Sequence, residues 1–271
     1  MPELPEVETT RRGIAPGLVG NRVVDVVIRE NRLRWPIPDE LPLNLTGQTI
    51  TAVDRRAKYL LLRTETGTAL LHLGMSGSLR LTTDTALVNK HDHFDIVLEN
   101  KTVLRFNDPR RFGCLLWTKD DPAVHPLLRN LGPEPLSPDF DGVYLQRTST
   151  GRRIAIKPHL MNANIVVGVG NIYASEALHL AGIHPKRAAG RIAGSRLERL
   201  AEAIKKVLEE SIRVGGTTLR DFYGGDGRPG YFRSELRVYG REGQPCKVCQ
   251  TPIRQVVLGQ RSTFYCVNCQ H

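Results

Sequence analysis

The sequence has no apolar run approaching the ~18 residues that cross a bilayer as a helix, so no membrane anchor is expected. Its first ten residues, MPELPEVETT, lack the apolar core of a secretory signal, which leaves the cytoplasm as the expected compartment. Cysteine is scarce as well: upstream of Cys246 the only one is Cys114, too few for a disulfide framework in that part of the chain. Acidic residues are in deficit, 28 Asp and Glu against 38 Lys and Arg, for a net charge of +10. That excess suits a polyanion such as nucleic acid, although many basic proteins have no such partner. A length of 271 residues accommodates two domains more naturally than one.

What is present begins at Met1-Pro2-Glu3. A proline beside the initiator is normally exposed by methionine removal, which leaves a secondary amine. Such a terminal amine titrates near pH 8, within reach of neutral pH, and can attack an electrophilic carbon while an adjacent carboxylate moves protons. On its own a Met-Pro start is only a processing signal. The following residues, Leu4 to Ile14, read as a helix with Pro5 in its first turn, ending around Gly13, Pro16 and Gly17. Glu6 and Glu8 read as partners of the helix dipole.

From Arg22 to Trp117 the pattern changes to short runs rich in Val, Ile and Leu, separated by Gly, Asn and Asp. Residues 22–28, 59–62, 69–73, 94–98 and 103–106 are strand-length, and their regular spacing predicts a β-sandwich against which the leading helix packs. Three prolines between Gly132 and Pro138 mark a domain boundary. Beyond it the periodicity is helical. Ser195 and Glu198 form a capping-box signature ahead of an apolar stripe from Leu197 to Ile212, and Gly215-Gly216 stop it. Val166 to Gly170 read as a glycine-rich turn feeding a helix from Asn171. That turn is either an anion site at a helix start or a close-packed corner. The stretch 223–232, with four glycines, is a lid or a linker.

The most specific signal is Cys246-Lys-Val-Cys249 followed by Cys266-Val-Asn-Cys269, two CxxC knuckles of the spacing that holds a structural zinc. One Zn(2+) per chain is expected, with a hairpin between the knuckles. From residue 235 onward five basic residues face two acidic ones, which fits a nucleic-acid-facing finger.

Together these parts resemble bacterial formamidopyrimidine-DNA glycosylase across essentially the whole chain. The resemblance rests on Pro2-Glu3-Leu4-Pro5-Glu6-Val7-Glu8-Thr9, Arg56-Ala57-Lys58-Tyr59-Leu60, His72-Leu73-Gly74-Met75-Ser76-Gly77 and Lys90-His91-Asp92-His93. It extends to Asp108-Pro109-Arg110-Arg111-Phe112-Gly113, Gly168-Val169-Gly170-Asn171-Ile172-Tyr173 and the finger. It implies an α+β chain of two domains: an N-terminal β-sandwich with a leading helix over 1–132, and a linker over 133–150. A helix-two-turn-helix domain over 151–234 with a lid at 223–232, and a zinc finger over 235–271, would complete it.

The resemblance also implies a cytoplasmic, nucleoid-associated monomer that acts on duplex DNA holding an oxidised purine or an abasic site. Pro2 would be the nucleophile, Glu3 the proton shuttle, and Lys58 and Arg261 would assist β- and δ-elimination. Because an arginine stays charged at any working pH, Arg261 reads more readily as a phosphate clamp. Met75, Arg110 and Phe112 match the wedge that fills the gap left by a flipped nucleotide. His72, His91, Arg152 and Asn171 match DNA contacts. His91 and His93 share a face if extended, but no third metal ligand accompanies them. Arg228 stands where some relatives carry lysine in the lid. Two other readings fit part of the pattern: an endonuclease VIII-like glycosylase for oxidised pyrimidines, and a non-catalytic zinc-ribbon protein that binds damaged DNA.

Overall fold

A computed structural model describes residues 2–216 and 236–271. Met1, the 223–232 stretch and Arg228 lie outside the described residues. The chain forms two compact units, one of described residues 2–129 and 214–216, the other of 130–213 and 236–271. No helix among the described residues is long and apolar enough to cross a membrane.

In the first unit α1 spans Leu4–Leu18 and is followed by β1 (Val23–Ile28) and the short α2 (Leu41–Leu45). The strands β2 (Ala52–Arg56), β3 (Tyr59–Arg63), β4 (Thr68–His72) and β5 (Ser78–Thr83) come next, then β6 (Asp92–Leu98), β7 (Thr102–Asn107) and β8 (Cys114–Thr118). They make two antiparallel four-stranded sheets, ordered β1-β6-β7-β5 and β2-β3-β4-β8. Alternate residues point to opposite faces of a strand. Leu60 and Leu62 of β3 and Ala69 and Leu71 of β4 accordingly enter one cluster with Phe94, Ile96, Leu104 and Phe106 of the other sheet. Val7, Ile14 and Leu18 of α1 join that cluster, so the leading helix is part of the core.

Three of these strands were not predicted. β2 and β5 interleave Arg, Asp and Thr with few apolar positions, so their strand character comes from pairing with β3 and β7. The end of α1 also differs from expectation, because the helix runs through Pro16 to Leu18. Pro16 lies in the last turn, where its missing N–H removes one bond only. The fully buried Ile14 and Leu18 hold that turn in the core, and the Val19 N–H closes it on the Ala15 carbonyl.

The second unit contains α3 (Gly142–Ser149), α4 (Ile156–Leu160), α5 (Asn171–Leu180) and α6 (Gly194–Arg213), then β9 (Arg254–Leu258) and β10 (Arg261–Tyr265). Helix α5 is buried from Ile172 through His179, consistent with its lack of a polar face. The Tyr173 hydroxyl bonds the Ser211 hydroxyl of α6 at 2.6 Å. The start of α6 corrects the capping-box reading of Ser195 and Glu198. The Arg196 and Leu197 N–H groups bond the Ala193 carbonyl, so Ser195 already lies inside the helix. Glu198 instead packs over Gly142, where any β-carbon would meet its carboxylate. The proline-rich 132–138 stretch is tied to its own unit: the Gly132 N–H bonds the Ala163 carbonyl at 2.8 Å, and the Pro133 carbonyl accepts from Val167 at 3.2 Å.

Candidate active site and metal centre

At the head of α1, Pro2 is buried one residue before the N-cap Glu3, which is only 2% exposed. Glu3 and Glu6 form a reciprocal cap: the Glu3 side chain accepts from the Glu6 N–H, and the Glu3 N–H donates to Glu6 Oε2 at 2.8 Å. The helix start thus fixes the Glu3 carboxylate beside Pro2. Glu8, expected to be a dipole partner, is instead a hub for three arginines. Arg11, Arg12 and Arg55 approach it at 2.9, 2.8 and 3.1 Å. Burial by itself would raise the Glu8 pKa, but the bonds from Arg11 and Arg12 and the charges of Arg11 and Arg55 hold it at about 2. Through Arg55 this hub ties α1 to β2.

Arg55 and Arg56 end β2, and Ala57-Lys58 form the tight turn into β3, with Ala57 at φ 56°. Lys58 is half-buried there. His72 pairs across the sheet with Tyr59, and the two rings meet tilted at 52°, with centroids 4.7 Å apart. The His72 Nδ1 accepts from the Gly74 N–H at 2.9 Å, which leaves the proton on Nε2. Burial, with the cations Lys58 and Arg34 nearby, lowers the His72 pKa to about 4. His72 is therefore a neutral Nε2–H donor at pH 7.

After His72 the chain turns through Gly74-Met75-Ser76-Gly77. Gly74 has φ 65°, and a β-carbon there would lie 2.4 Å from the Phe112 carbonyl carbon, so only glycine permits this approach. The approach sets the Met75 turn against the 108–113 loop. The two are locked by Asp108, which is fully buried. Its Oδ1 accepts from the Ser76 hydroxyl at 2.6 Å and the Arg110 N–H at 3.2 Å, and its Oδ2 from the Gly113 N–H at 2.8 Å. Asp108 stands in the motif quoted above without a role of its own, although an Asp two residues before a backbone turn is a usual acceptor for that turn.

Met75 (38% exposed) and Phe112 (42%) are large apolar side chains left open to solvent. The Arg110 guanidinium lies over the Phe112 ring at 4.9 Å. Arg110 and Phe112, two positions apart, would share a side in extended backbone. Their contact arises differently, because Arg111 between them has φ 57°. His91 is joined to the same loop through its carbonyl, which accepts from the Asp108 N–H at 3.0 Å. It lines a cleft of about 410 Å³ with Arg29, Lys90 and Arg111. His93 is buried, and its Nε2 bonds the Asp108 carbonyl at 2.7 Å.

In the second unit Asn171 is the first residue of α5, after the extended Gly170. Its Oδ1 accepts from Lys157 Nζ at 2.5 Å, and its Nδ2 donates to the Ser262 carbonyl at 3.0 Å. Lys157, 1% exposed, also donates to Thr263 Oγ1 at 2.7 Å. A lone lysine in Ile154-Ala155-Ile156-Lys157 carried no signal of this role. The network pins β10 at the residue following Arg261. Arg261 is exposed at the mouth of the β9–β10 hairpin, where Gly259 (φ 54°) and Gln260 (φ 61°) form a two-residue turn with both angles positive. Arg152 is exposed in the loop after α3.

The four cysteine sulfurs lie within 4.8 Å of one another, with Cys249 3.4 Å from both Cys266 and Cys269, and Cys246 3.9 Å from Cys269. Tetrahedral zinc with bonds of ~2.3 Å places its sulfurs ~3.8 Å apart, so the set fits that ion. Among the described residues this is the one cluster of three or more such ligands, and it excludes His91 and His93. The small core around it is formed by Val238, Ile253 and Phe264.

Residues 1–115 match the family described as formamidopyrimidine-DNA glycosylase N-terminal domain, and residues 131–223 match the formamidopyrimidine-DNA glycosylase H2TH domain. Residues 243–271 match a zinc finger found in FPG and IleRS. The formamidopyrimidine-DNA glycosylase of Nitrosococcus oceani is 59% identical over 271 residues, with 100% of both chains covered. The MutM (Fpg) protein of Thermus thermophilus superposes with a TM-score of 0.89 at 39% identity, covering 99% of this chain and 98% of that one. Lactococcus lactis Fpg in complex with DNA containing N7-benzyl-Fapy-dG gives 0.92 at 33% identity, with 99% of each chain covered.

Proposed function

The chain belongs to the formamidopyrimidine-DNA glycosylase family, and from that premise we propose that it excises oxidised purines from duplex DNA and then nicks the strand. The Pro2 amine, freed by removal of Met1, attacks C1′ of the damaged nucleotide. The bond from C1′ to the base nitrogen breaks, and the base leaves with a proton delivered through Glu3. Opening of the sugar ring gives an iminium between Pro2 and C1′. That cation acidifies the C2′ proton, so the 3′ phosphate and then the 5′ phosphate depart by β- and δ-elimination. The observation that carries this reading is the reciprocal cap of Glu3 and Glu6, which holds a carboxylate one residue from the amine.

Lys58, in the turn beside His72, takes the elimination step, and Arg261 clamps a phosphate. C1′ is inaccessible in a stacked duplex, so the nucleotide is flipped out, and the exposed Met75 and Phe112 with Arg110 fill the gap. His72, His91, Arg152 and Asn171 hold flanking phosphates. Cys246, Cys249, Cys266 and Cys269 hold one zinc, which supplies a structural crosslink and takes no part in bond breaking. The work is done in the cytoplasm, on the DNA of the nucleoid. The lesion for which the matched family and the Nitrosococcus oceani relative are named, formamidopyrimidine, is a ring-opened purine, which favours purine lesions, although Lactococcus lactis Fpg also forms a complex with DNA containing an oxidised pyrimidine.

Borohydride reduction of a mixture of protein and damaged duplex tests the reading. A covalent adduct at Pro2 is expected with 8-oxoguanine opposite cytosine, and much less with thymine glycol. The absence of any adduct, or an adduct mapped to another residue, overturns it.

A further inference from the structure

The second unit has a concave surface that the proposed chemistry does not use. A groove of about 860 Å³ lies between α6 and the cysteine knuckles, within the ~300–1,000 Å³ typical of ligand sites. Its α6 wall carries Arg196, Arg199, Ala203 and Lys206, a spacing of three, four and three residues that puts them along one helix face. Arg237 adds another guanidinium, while Leu180, Ala181 and Val248 supply apolar surface, Val248 being 68% exposed. Glu202 is the one side-chain carboxylate among the described residues of this lining.

Arg196, Arg199, Lys206 and Arg237 share the lining with a single side-chain carboxylate, Glu202, so positive charge is in excess. Arg199, Lys206 and Arg237 form no ion pair within the described residues. Arg196 donates through Nη2 to the Gly182 and His271 carbonyls at 2.8 and 2.9 Å. Burial and the neighbouring charges of Arg187 and Arg199 lower its pKa. Such a cluster costs folding free energy through like-charge repulsion and is relieved by a ligand of opposite sign. The groove opens at the far end of α5 from Asn171. It meets α5 at His179 and Leu180, whereas Asn171 starts that helix, ~12 Å away at 1.5 Å per residue.

We propose that this groove binds an acidic segment of a partner protein in extended conformation, its carboxylates on Arg196, Arg199 and Lys206 and its aliphatic side chains on Leu180, Ala181 and Val248. The basic stripe from Arg196 to Lys206 is ~15 Å long, the reach of four to five extended residues at ~3.3 Å each. Alternate residues of such a segment face opposite ways, which matches one charged and one apolar wall. A small anion would leave the apolar wall uncovered.

Fluorescence anisotropy on the zinc-loaded full chain tests the proposal. The probe is fluorescein-labelled Asp-Leu-Asp-Leu-Asp, and the control is Asn-Leu-Asn-Leu-Asn at the same salt. Saturable binding of the aspartate peptide is expected, weakened about tenfold by Arg199→Glu combined with Lys206→Glu, with the control bound no better than the double variant binds the probe. The melting curve and damaged-duplex cleavage should not change, since neither residue belongs to the proposed machinery. If that variant melts early, Arg199→Gln with Lys206→Gln replaces it and should weaken binding in the same direction. Equal binding of the two peptides, no saturation up to about 1 mM, or indifference to the substitutions overturns the proposal. So does loss of undamaged-duplex affinity in step with peptide affinity, because that assigns the groove to nucleic acid.

Discussion

His179 Nε2 lies 3.5 Å from Cys246 Sγ. A metal-bound thiolate can only accept, so the nitrogen facing it carries the proton and donates, while Nδ1 is buried without a partner among the described residues. The last turn of α5 thereby stabilises charge on one sulfur of the cluster, as partners of metal ligands generally do. His179→Phe keeps a flat ring in the same space and removes the donor. Zinc release to a chromogenic chelator is expected to be about tenfold faster, with the apo and loaded folds otherwise intact. An unchanged release rate would show that the contact does nothing for the metal.

Glu3 has two jobs in the proposed reading, and two substitutions separate them. Glu3→Gln retains an acceptor for the Glu6 N–H, so the melting temperature should hold while base excision falls by a factor of about 10² to 10⁴, the usual worth of a positioned proton shuttle. Glu3→Ala removes the cap as well and should cost a further ~1 kcal/mol of stability. Excision by Glu3→Gln at the wild-type rate removes Glu3 from the chemistry.

Asp108 holds the Met75 turn to the Arg110–Phe112 loop through three bonds, two of them from backbone N–H groups. Asp108→Ala strands those donors in a buried place, at a cost of about 2–3 kcal/mol. Affinity for an abasic-site duplex should fall with it, because the loop that presents Phe112 is no longer held. Met75→Ala, at a site already partly open to solvent, should weaken the same affinity while leaving the melt within about 0.5 kcal/mol. If Met75→Ala destabilises as much as Asp108→Ala, Met75 is a packing residue and the wedge assignment fails.

These residues also show how far the sequence could be read. The two CxxC knuckles were legible because the spacing itself encodes the geometry of a tetrahedral site, and the apolar stripe of α6 was legible because its period is that of a helix. Lys157 was not, since it acts through Thr263, 106 positions away in the chain, and Asp108 was legible only in part, since its bonds from Arg110 and Gly113 lie within its own turn while the bond from Ser76 spans 32 positions. β2 and β5 were missed for a related reason: their own side chains say little, and their pairing with β3 and β7 decides. Pro16 misled in the opposite direction, as a local breaker overridden by the burial of Ile14 and Leu18. Local pattern thus located the elements with strong periods, while contacts distant in sequence decided the rest.

The tautomer of His72 leads to a pH dependence. Its Nδ1 is occupied by the Gly74 N–H, so taking up a proton means breaking that bond as well as charging a ring beside Lys58 and Arg34. The folded pKa is therefore depressed to about 4, against the ordinary 6.5. Above pH 6.5 both folded and unfolded chains carry the neutral ring, and the contribution is complete. As the pH falls from 6.5 to about 4 the unfolded chain binds the proton and the folded chain does not, so stability is lost across that window. His72→Gln has an amide in place of the ring and does not titrate. Denaturant melts of the two proteins between pH 4.5 and 7 should converge on acidification, the wild type losing about 2 kcal/mol more than the variant. Parallel losses would mean that His72 takes up its proton in the folded chain without penalty, and that its Nε2–H is not the fixed neutral donor proposed to hold a phosphate.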